Sequence, residues 1–207
     1  MQTESQVIRT LREENIRLKE EIHQLRTEND RLHQVIHALN TLQYQIDAIT
    51  PQTDVFTLIH NILVAALEAV GSENGSLILL DDENNELVFV DVIGASFPDL
   101  IGYRMPSQEG IAGWVITNKQ PTLVDTVSLD PRWSPLVDET VGFHTASLIA
   151  VPLLDGQRPL GVIEAVNPTS GEPFRENDLD TMILVARLAS LALIRAENTT
   201  ADITNPS

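Results

Sequence analysis

SLIAVPLLDGQRPLGVIEAV, residues 147–166, is the stretch that decides the fold. Ser147–Leu154 and Leu160–Val166 are short runs rich in Val, Ile and Leu, as strands are. Between them, Asp155–Pro159 carries Gly156 and reads as a turn, so the pair forms a β-hairpin. Pro152 lacks the N–H that a ladder needs, which places the first strand at an edge or a bulge. Glu164 stands alone among apolar neighbours. It either faces solvent or points into a pocket where it needs a partner.

The same alternation of runs and turns extends outward in both directions. Ser76–Leu80 and Glu86–Val92 flank the polar turn Asp82–Asn85 and form a second hairpin. Ile101–Met105 and Thr122–Val124 are shorter strand candidates. Val55, Leu58, Ile59, Ile62, Leu63, Ala66 and Leu67 fall at helical spacing, predicting a helix over Val55–Val70 that Gly71 ends. Gly110–Asn118 is a second helix. Glu176–Glu197 is a third and long one, with Leu179, Ile183, Ala186, Ala189, Ala192 and Leu193 on its apolar side. Asp125–Val137, around Pro131 and Pro135, reads as a loop. Asn198–Ser207 is small and polar and is expected to be a disordered tail. Strands in hairpins with helices at both ends point to an α+β domain. One antiparallel sheet would carry the terminal helices on one face, with the irregular region 95–145 over the other. Loops over a rigid sheet are where ligand sites tend to lie.

Residues 1 to about 49 hold no Gly and no Pro. Here Leu11, Leu18, Leu25, Leu32 and Leu39 recur every seventh residue, and Ile46 continues the series. With these at heptad position d, position a is Ile8, Asn15, Ile22, Asn29 and Ile36. Ile at a with Leu at d favours two parallel strands. Asn at a is tolerated when it meets its twin across the dimer axis, so Asn15 and Asn29 penalise trimers and slipped registers. Glu14, Glu21 and Glu28 at g face Lys19, Arg26 and His33 at e of a partner, acid against base. Each such pair contributes only about 0.3–0.5 kcal/mol, enough to set orientation. A single surface helix packed on its own domain would need a wider stripe of period 3.6. The expected partner is therefore a second copy, in a parallel homodimer.

The 207 residues suit one domain plus an extension. The formal charge is -17. It is uneven: residues 1–46 hold six Lys/Arg against seven Asp/Glu, and residues 47–207 hold seven against twenty-three. An acidic body repels nucleic acid and anionic membrane, though it also serves plain solubility. Only Met1–Val7 precede the leucine repeat, without Lys or Arg, so the DNA-binding use of a zipper is not expected. No apolar stretch reads as a membrane span or a signal peptide, and a cytoplasmic location is expected. There are no cysteines. That removes disulfides, thiolate metal sites and cysteine nucleophiles. No GxGxxG, phosphate loop or GxSxG is present, and no acid/base pair stands out among the carboxylates, so the chain is not expected to be an enzyme. His33 and His37 have the spacing of a metal pair but lie at e and b of the coil, on a solvated face. No metal site is expected.

Four segments follow in a telling order: ENGSLILLDDENNELVFVDVIG (73–94), EGIAGWVITNKQPTLVDTVSLDPRW (109–133), GFHTASLIAVPLLDGQRPLGVIEAVNP (142–168) and PFRENDLDTMILVARLASLAL (173–193). Together, residues of about 52–196 resemble a GAF domain. The resemblance implies a GAF-like antiparallel sheet of about six strands with helices on both faces, preceded here by a long parallel dimeric coiled-coil helix. The division is then 1–50 coiled coil, 51–197 domain and 198–207 tail. It also implies that the first and last helices join a dimer bundle, or that the last simply packs on its own sheet. GAF domains bind cyclic nucleotides, haem, bilins, small metabolites or no ligand. The cyclic-nucleotide binders carry Asn-Lys, a later Phe, then Asp-Glu. Asn167, Phe174 and Asp178 match, but Pro168 replaces the Lys and Leu179 the Glu, and Asn and Asp also cap turns and helix starts. His144 is a candidate haem ligand, with local hydrogen bonding the plainer alternative. Covalent bilin and the free methionine sulfoxide reductase activity both need cysteine. No cofactor is therefore expected. A small-molecule ligand, where one binds, would be lined by Tyr103, Ile111, Trp114, Asp125, Trp133, Phe143, Thr145 and Glu164. The two tryptophans would stack a planar ring or, alternatively, anchor the core. The expected function is a dimeric signalling protein: the domain senses a small molecule or partner, and the coil passes the signal to a separate output protein. The alternative is a ligand-free scaffold.

Overall fold

The computed structural model describes residues 2–94 and 100–204, with side chains for 6–94 and 100–199. The central hairpin forms as expected, β5 (Leu148–Asp155) with β6 (Arg158–Pro168). β1 (Ser72–Asp81), β2 (Glu86–Ile93), β3 (Arg104–Pro106) and β4 (Thr122–Val124) complete a six-stranded antiparallel sheet in the order β3-β2-β1-β6-β5-β4. β4 covers only Leu148–Ala150 of β5, so the edge is open at Pro152, and the register slips between Leu153 and Leu154. An interior proline tolerates that setting. β1 starts at Ser72 rather than Ser76. Its first residues are polar and carry no strand pattern, yet Ser72 and Asn74 pair with Pro168 and Val166.

Side chains alternate between two cores. Ile163 and Ala165 of β6 face the helices, together with Leu77, Ile149 and Leu153. Val162 and Val166 face the other way, with Ile78, Phe89 and Leu148. Gly161 sits where β6 crosses β1, and a Cβ there would lie 2.1 Å from the Ile78 carbonyl oxygen. Because the obstacle is backbone, the strands themselves would have to part. Gly161→Ala is expected to lower stability by about 2–3 kcal/mol in urea denaturation. A loss under about 0.5 kcal/mol would show that the ladder gives way there.

Helix α2 (Val55–Val70) has the bounds its periodicity predicts. Asp54 caps it, accepting from the Phe56 and Thr57 N–H groups, and Gly71 ends it at φ +64°. α3 (Gly110–Asn118) also matches. The expected loop 125–137 contains instead a turn of 3-10 helix at Val127–Leu129 and runs into α4 (Leu136–Val141). Pro135 is tolerated at that helix entry, and Gly142 takes the left-handed exit at φ +66°. α5 runs from Glu176 to Thr204, beyond the expected end at Glu197. Asn198–Thr204 is helix rather than disordered tail, because no Gly or Pro interrupts the chain before Pro206. Residues 205–207 lie outside the described residues.

α1 (Gln2–Asp47) is one helix of 46 residues, close to 70 Å at about 1.5 Å per residue. It changes character along its length. Side chains from Gln6 to Asp30 are all exposed, and the leucine seam is uncovered within one chain, from 44% exposure at Leu18 to 63% at Leu25. From Arg31 onward a second stripe, on another face of the helix, turns inward and buries Ala38, Leu42 and Ile46 against α2 and α5. Ile46 therefore ends in the domain core and does not extend the seam. Arg31 pairs with Asp178 at 2.8 Å and Arg195 with Asp47 at 4.0 Å, so α1 and α5 run parallel. α2 and α5 thus form a helical layer behind the sheet, and α1 packs on both. Among the described residues, no helix is long and apolar enough to cross a membrane.

Candidate functional site

The face of the sheet opposite that layer is covered by α3, α4 and the loops joining them. A cavity of about 80 Å3 lies beneath this cover. Its floor is Ser76, Phe89, Leu148, Glu164 and Val166. Its walls are Met105, Leu100 and the α3 entry from Glu109 to Ala112. Its roof is Trp133–Ser134 and Leu136–Asp138. Gly113 lets α3 close on the preceding loop, since a Cβ would stand 2.3 Å from the Gln108 carbonyl carbon.

Glu164 shares its face of β6 with Val162 and Val166, and so its carboxyl points to the cavity rather than to solvent. Ser76 lies opposite it in the β1–β6 register, and its hydroxyl donates to Glu164 Oε2 at 3.0 Å. Burial pushes the Glu164 carboxyl up to about 7, against the Ser76 bond, and the nearby Asp138 charge adds to the rise. Asp138, on α4, accepts from both the Thr145 N–H (2.7 Å) and the Thr145 hydroxyl (2.8 Å). Those bonds tie the roof to the start of β5.

Four of the eight residues expected to line a ligand meet here: Ile111, Trp133, Thr145 and Glu164. The other four do not line the cavity. Tyr103 packs edge-on to Phe89, ring centroids 6.0 Å apart. Trp114 lies on another side of α3, with the Arg132 guanidinium 4.4 Å over its ring. Arg132 is held there by Asp130, 2.6 Å away. Asp125 is exposed just after β4. Phe143 is partly buried at the rim of the same core. Sequence reasoning misses Ser76, Glu109 and Asp138. Their only signal in the sequence is polarity next to apolar runs, and what places them is pairing between segments far apart in the chain.

Asn167, Phe174 and Asp178 each have a structural task. Asn167, at φ +52°, accepts from the Ala146 and Ser147 N–H groups and donates to the His144 carbonyl at 2.8 Å. Phe174 is buried in the helix-side core. Asp178 accepts from the Arg175 N–H at 2.7 Å, capping α5, while also holding Arg31. Asn167→Ala is expected to cost about 3 kcal/mol, from three lost hydrogen bonds and from replacing Asn, which tolerates the left-handed backbone, by Ala, which does not. Asn167→Gly, which keeps the backbone freedom, should cost less in the same denaturation experiment. Equal losses would mean that the left-handed backbone contributes nothing. Among the described residues no group of three or more His, Asp or Glu is placed to hold a metal ion.

The model of the GAF domain family matches residues 54–193. The cone cGMP-specific 3',5'-cyclic phosphodiesterase subunit alpha' of Mus musculus is 32% identical over 88 residues, 42% of this chain and 10% of that protein. The dual 3',5'-cyclic-AMP and -GMP phosphodiesterase 11A of Takifugu rubripes is 26% identical over 159 residues, 72% of this chain and 18% of that protein. The chain therefore spans less than a fifth of the length of these relatives. The GAF domain of a phosphoenolpyruvate-protein phosphotransferase from Coxiella burnetii superposes with a TM-score of 0.70 at 18% identity, covering 82% of this chain and 98% of that one. At that identity the likeness is one of fold.

Proposed function

The chain belongs to the GAF domain family, whose members are sensory and regulatory modules, and we propose that it is a dimeric signalling protein whose cavity takes a small molecule and whose α1 pairs with a second copy. A separate protein would receive the output. The observation that carries this reading is the continuity of α1. One helix presents the leucine seam outward and then buries Ala38, Leu42 and Ile46 behind the sheet whose other face floors the cavity. β6 connects the two sides, since Glu164 faces the cavity while Ile163 and Ala165 face the helices. A ligand that alters β6 therefore acts on α2, and through it on the packing of α1 and α5. It shifts that packing only by its difference in affinity between the two arrangements.

A thermal-shift screen of the full chain against nucleotides and small metabolites tests the ligand part. Stabilisation by one chemical class is expected, rising with concentration as binding to the folded state requires. Stabilisation by none would leave the second reading, a scaffold without ligand. The size of the cavity favours that reading, because about 80 Å3 is below the roughly 300 Å3 at the lower end of small-molecule sites. The ligand reading therefore requires a compact molecule or a roof that lifts. Two hydrogen bonds, from the Thr145 N–H and hydroxyl to Asp138, fasten α4 to the start of β5, and α4 is six residues long.

A further inference from the structure

α1 is fastened to the domain unevenly along its length. Leu42 and Ile46 near its end are buried, as is Ile49 just beyond it. From Arg31 to Thr41 the one buried side chain is Ala38, with Val35 and Leu39 partly covered. Higher still the helix stands off the domain. Thr27 and Gln34 look across an open cleft of about 490 Å3 toward Gly71 and Ser170. Arg31 reaches over that cleft. Its guanidinium donates to Asp178 Oδ1 at 2.8 Å, while Asp178 Oδ2 accepts the Arg175 N–H at the start of α5. With side chains 26% and 15% exposed, the pair is better shielded than an ordinary surface ion pair. The second pair between these helices, Asp47 with Arg195, is longer at 4.0 Å and more exposed. Counted from Asn29 at heptad position a, Arg31 falls at c, so the contact leaves the leucine seam free.

We propose that Arg31 and Asp178 form a latch between the domain and the stalk, the part of α1 that precedes Arg31. Closed, the latch holds the stalk at one angle to the domain. Open, α1 swings about its anchor at Leu42–Ile49, because behind the pair lies a cleft rather than packed side chains. The anchor is itself imperfectly matched: Gln45 Oε1 is buried with no partner among the described residues, a cost that the docked arrangement carries. The loop that follows β6 at Pro168 leads directly to Asp178, so a shift of β6 reaches the latch through the chain itself. Hinges of this kind turn small displacements at a site into large ones at a distance. The inference rests on the reading of α1 as the relay, and it names the contact through which the stalk is steered.

The test uses the full chain, which has no cysteine of its own. Glu20 on the stalk and Asp125 after β4 are both exposed. Spin labels at Glu20→Cys and Asp125→Cys, in a chain mixed with excess unlabelled protein, give a distance within one chain. Glu20 lies roughly 33 Å above Leu42 at about 1.5 Å per residue, so a swing of about 10° moves its label by about 6 Å. The parent is expected to show one narrow distance. Arg31→Met removes the charge and keeps the stem. Asp178→Asn removes the charge and keeps an acceptor for the Arg175 N–H. Each should at least double the width of the distribution, and Arg31→Lys should stay near the parent. The two substitutions together should widen it no further than either alone, since both break the same bond. Widths equal to the parent's in both single variants would overturn the latch. So would effects that add in the double variant, or a parent already as broad as the variants. The distance reads equally in a monomer, so loss of the dimer and loss of the latch are separate results.

Discussion

Glu164→Gln is expected to make the protein more stable at pH 8 by about 3 kcal/mol, and to leave it nearly unchanged at pH 4. The folded protein holds the Glu164 carboxyl at about 7, above its ordinary 4.5. The protonated form is thus favoured by folding. Its contribution is complete below pH 4.5, drains away as pH rises toward 7, and is gone above that. A shift of that size corresponds to about 3 kcal/mol at roughly 1.4 kcal/mol per unit. The substituted amide would be neutral throughout while still accepting from Ser76. For a chain of this length the gain corresponds to a melting temperature about 6–12 °C higher at pH 8. Asp81, held down to about 2 by Arg104, titrates well below this window and does not blur it. Chemical denaturation of both proteins at intervals from pH 4 to 9 gives the comparison. Parallel curves would mean that Glu164 is as well solvated in the folded protein as in the unfolded chain.

The second large effect concerns the seam. Replacing Leu18 and Leu25 together by Glu would place four carboxylates in the core of a two-stranded coil, where unpaired charge is not tolerated. The dimer proposed above should dissociate to monomer at micromolar concentration in sedimentation equilibrium, a loss of affinity of at least about a thousandfold. The domain's own melting should survive, because no side chain from Gln6 to Asp30 is buried against it. His23→Glu, at an outward position, is the control and should stay dimeric. A double variant that remains dimeric would move the interface to α5, where Leu184 and Leu191 also face outward.

The sequence predicts elements best where chemistry marks their ends. Asp54 and Gly71 frame α2, and the polar turn Asp82–Asn85 frames the first hairpin. Strand ends are less legible, because Ser72 and Asn74 become strand through their non-local partner β6. α4 is hidden between Pro135 and Gly142, residues that also suit a loop. Ile46 fits the heptad count, yet the helix must also cover α2 and α5, and that demand prevails at Ile46 while Leu32 and Ile36 still face outward. The site is half legible for the same reason. Glu164 stands out because a lone acid in an apolar strand needs an explanation. Ser76 and Asp138 supply part of that explanation, but only the register of β1 on β6 and the fold of α4 bring them to it. Trp114 is the opposite case, an aromatic expected at a ligand and found stacked under Arg132.

The absence of native cysteine allows one direct test of the central claim. Glu13→Cys, at an outward heptad position, gives a single spin-label site in the full chain. The distance between labels on two chains is then read by pulsed dipolar spectroscopy, with and without the compound that stabilises the protein most. A parallel, in-register dimer places the labels at the same height, about 2–3 nm apart across two helices each about 10–12 Å wide. One narrow distance in that range is expected, and a shift in it when the compound binds. No interchain coupling, or a distance near 4 nm as an antiparallel pair would give at about 1.5 Å per residue, would contradict the parallel zipper. A distance unmoved by a bound compound would contradict the relay.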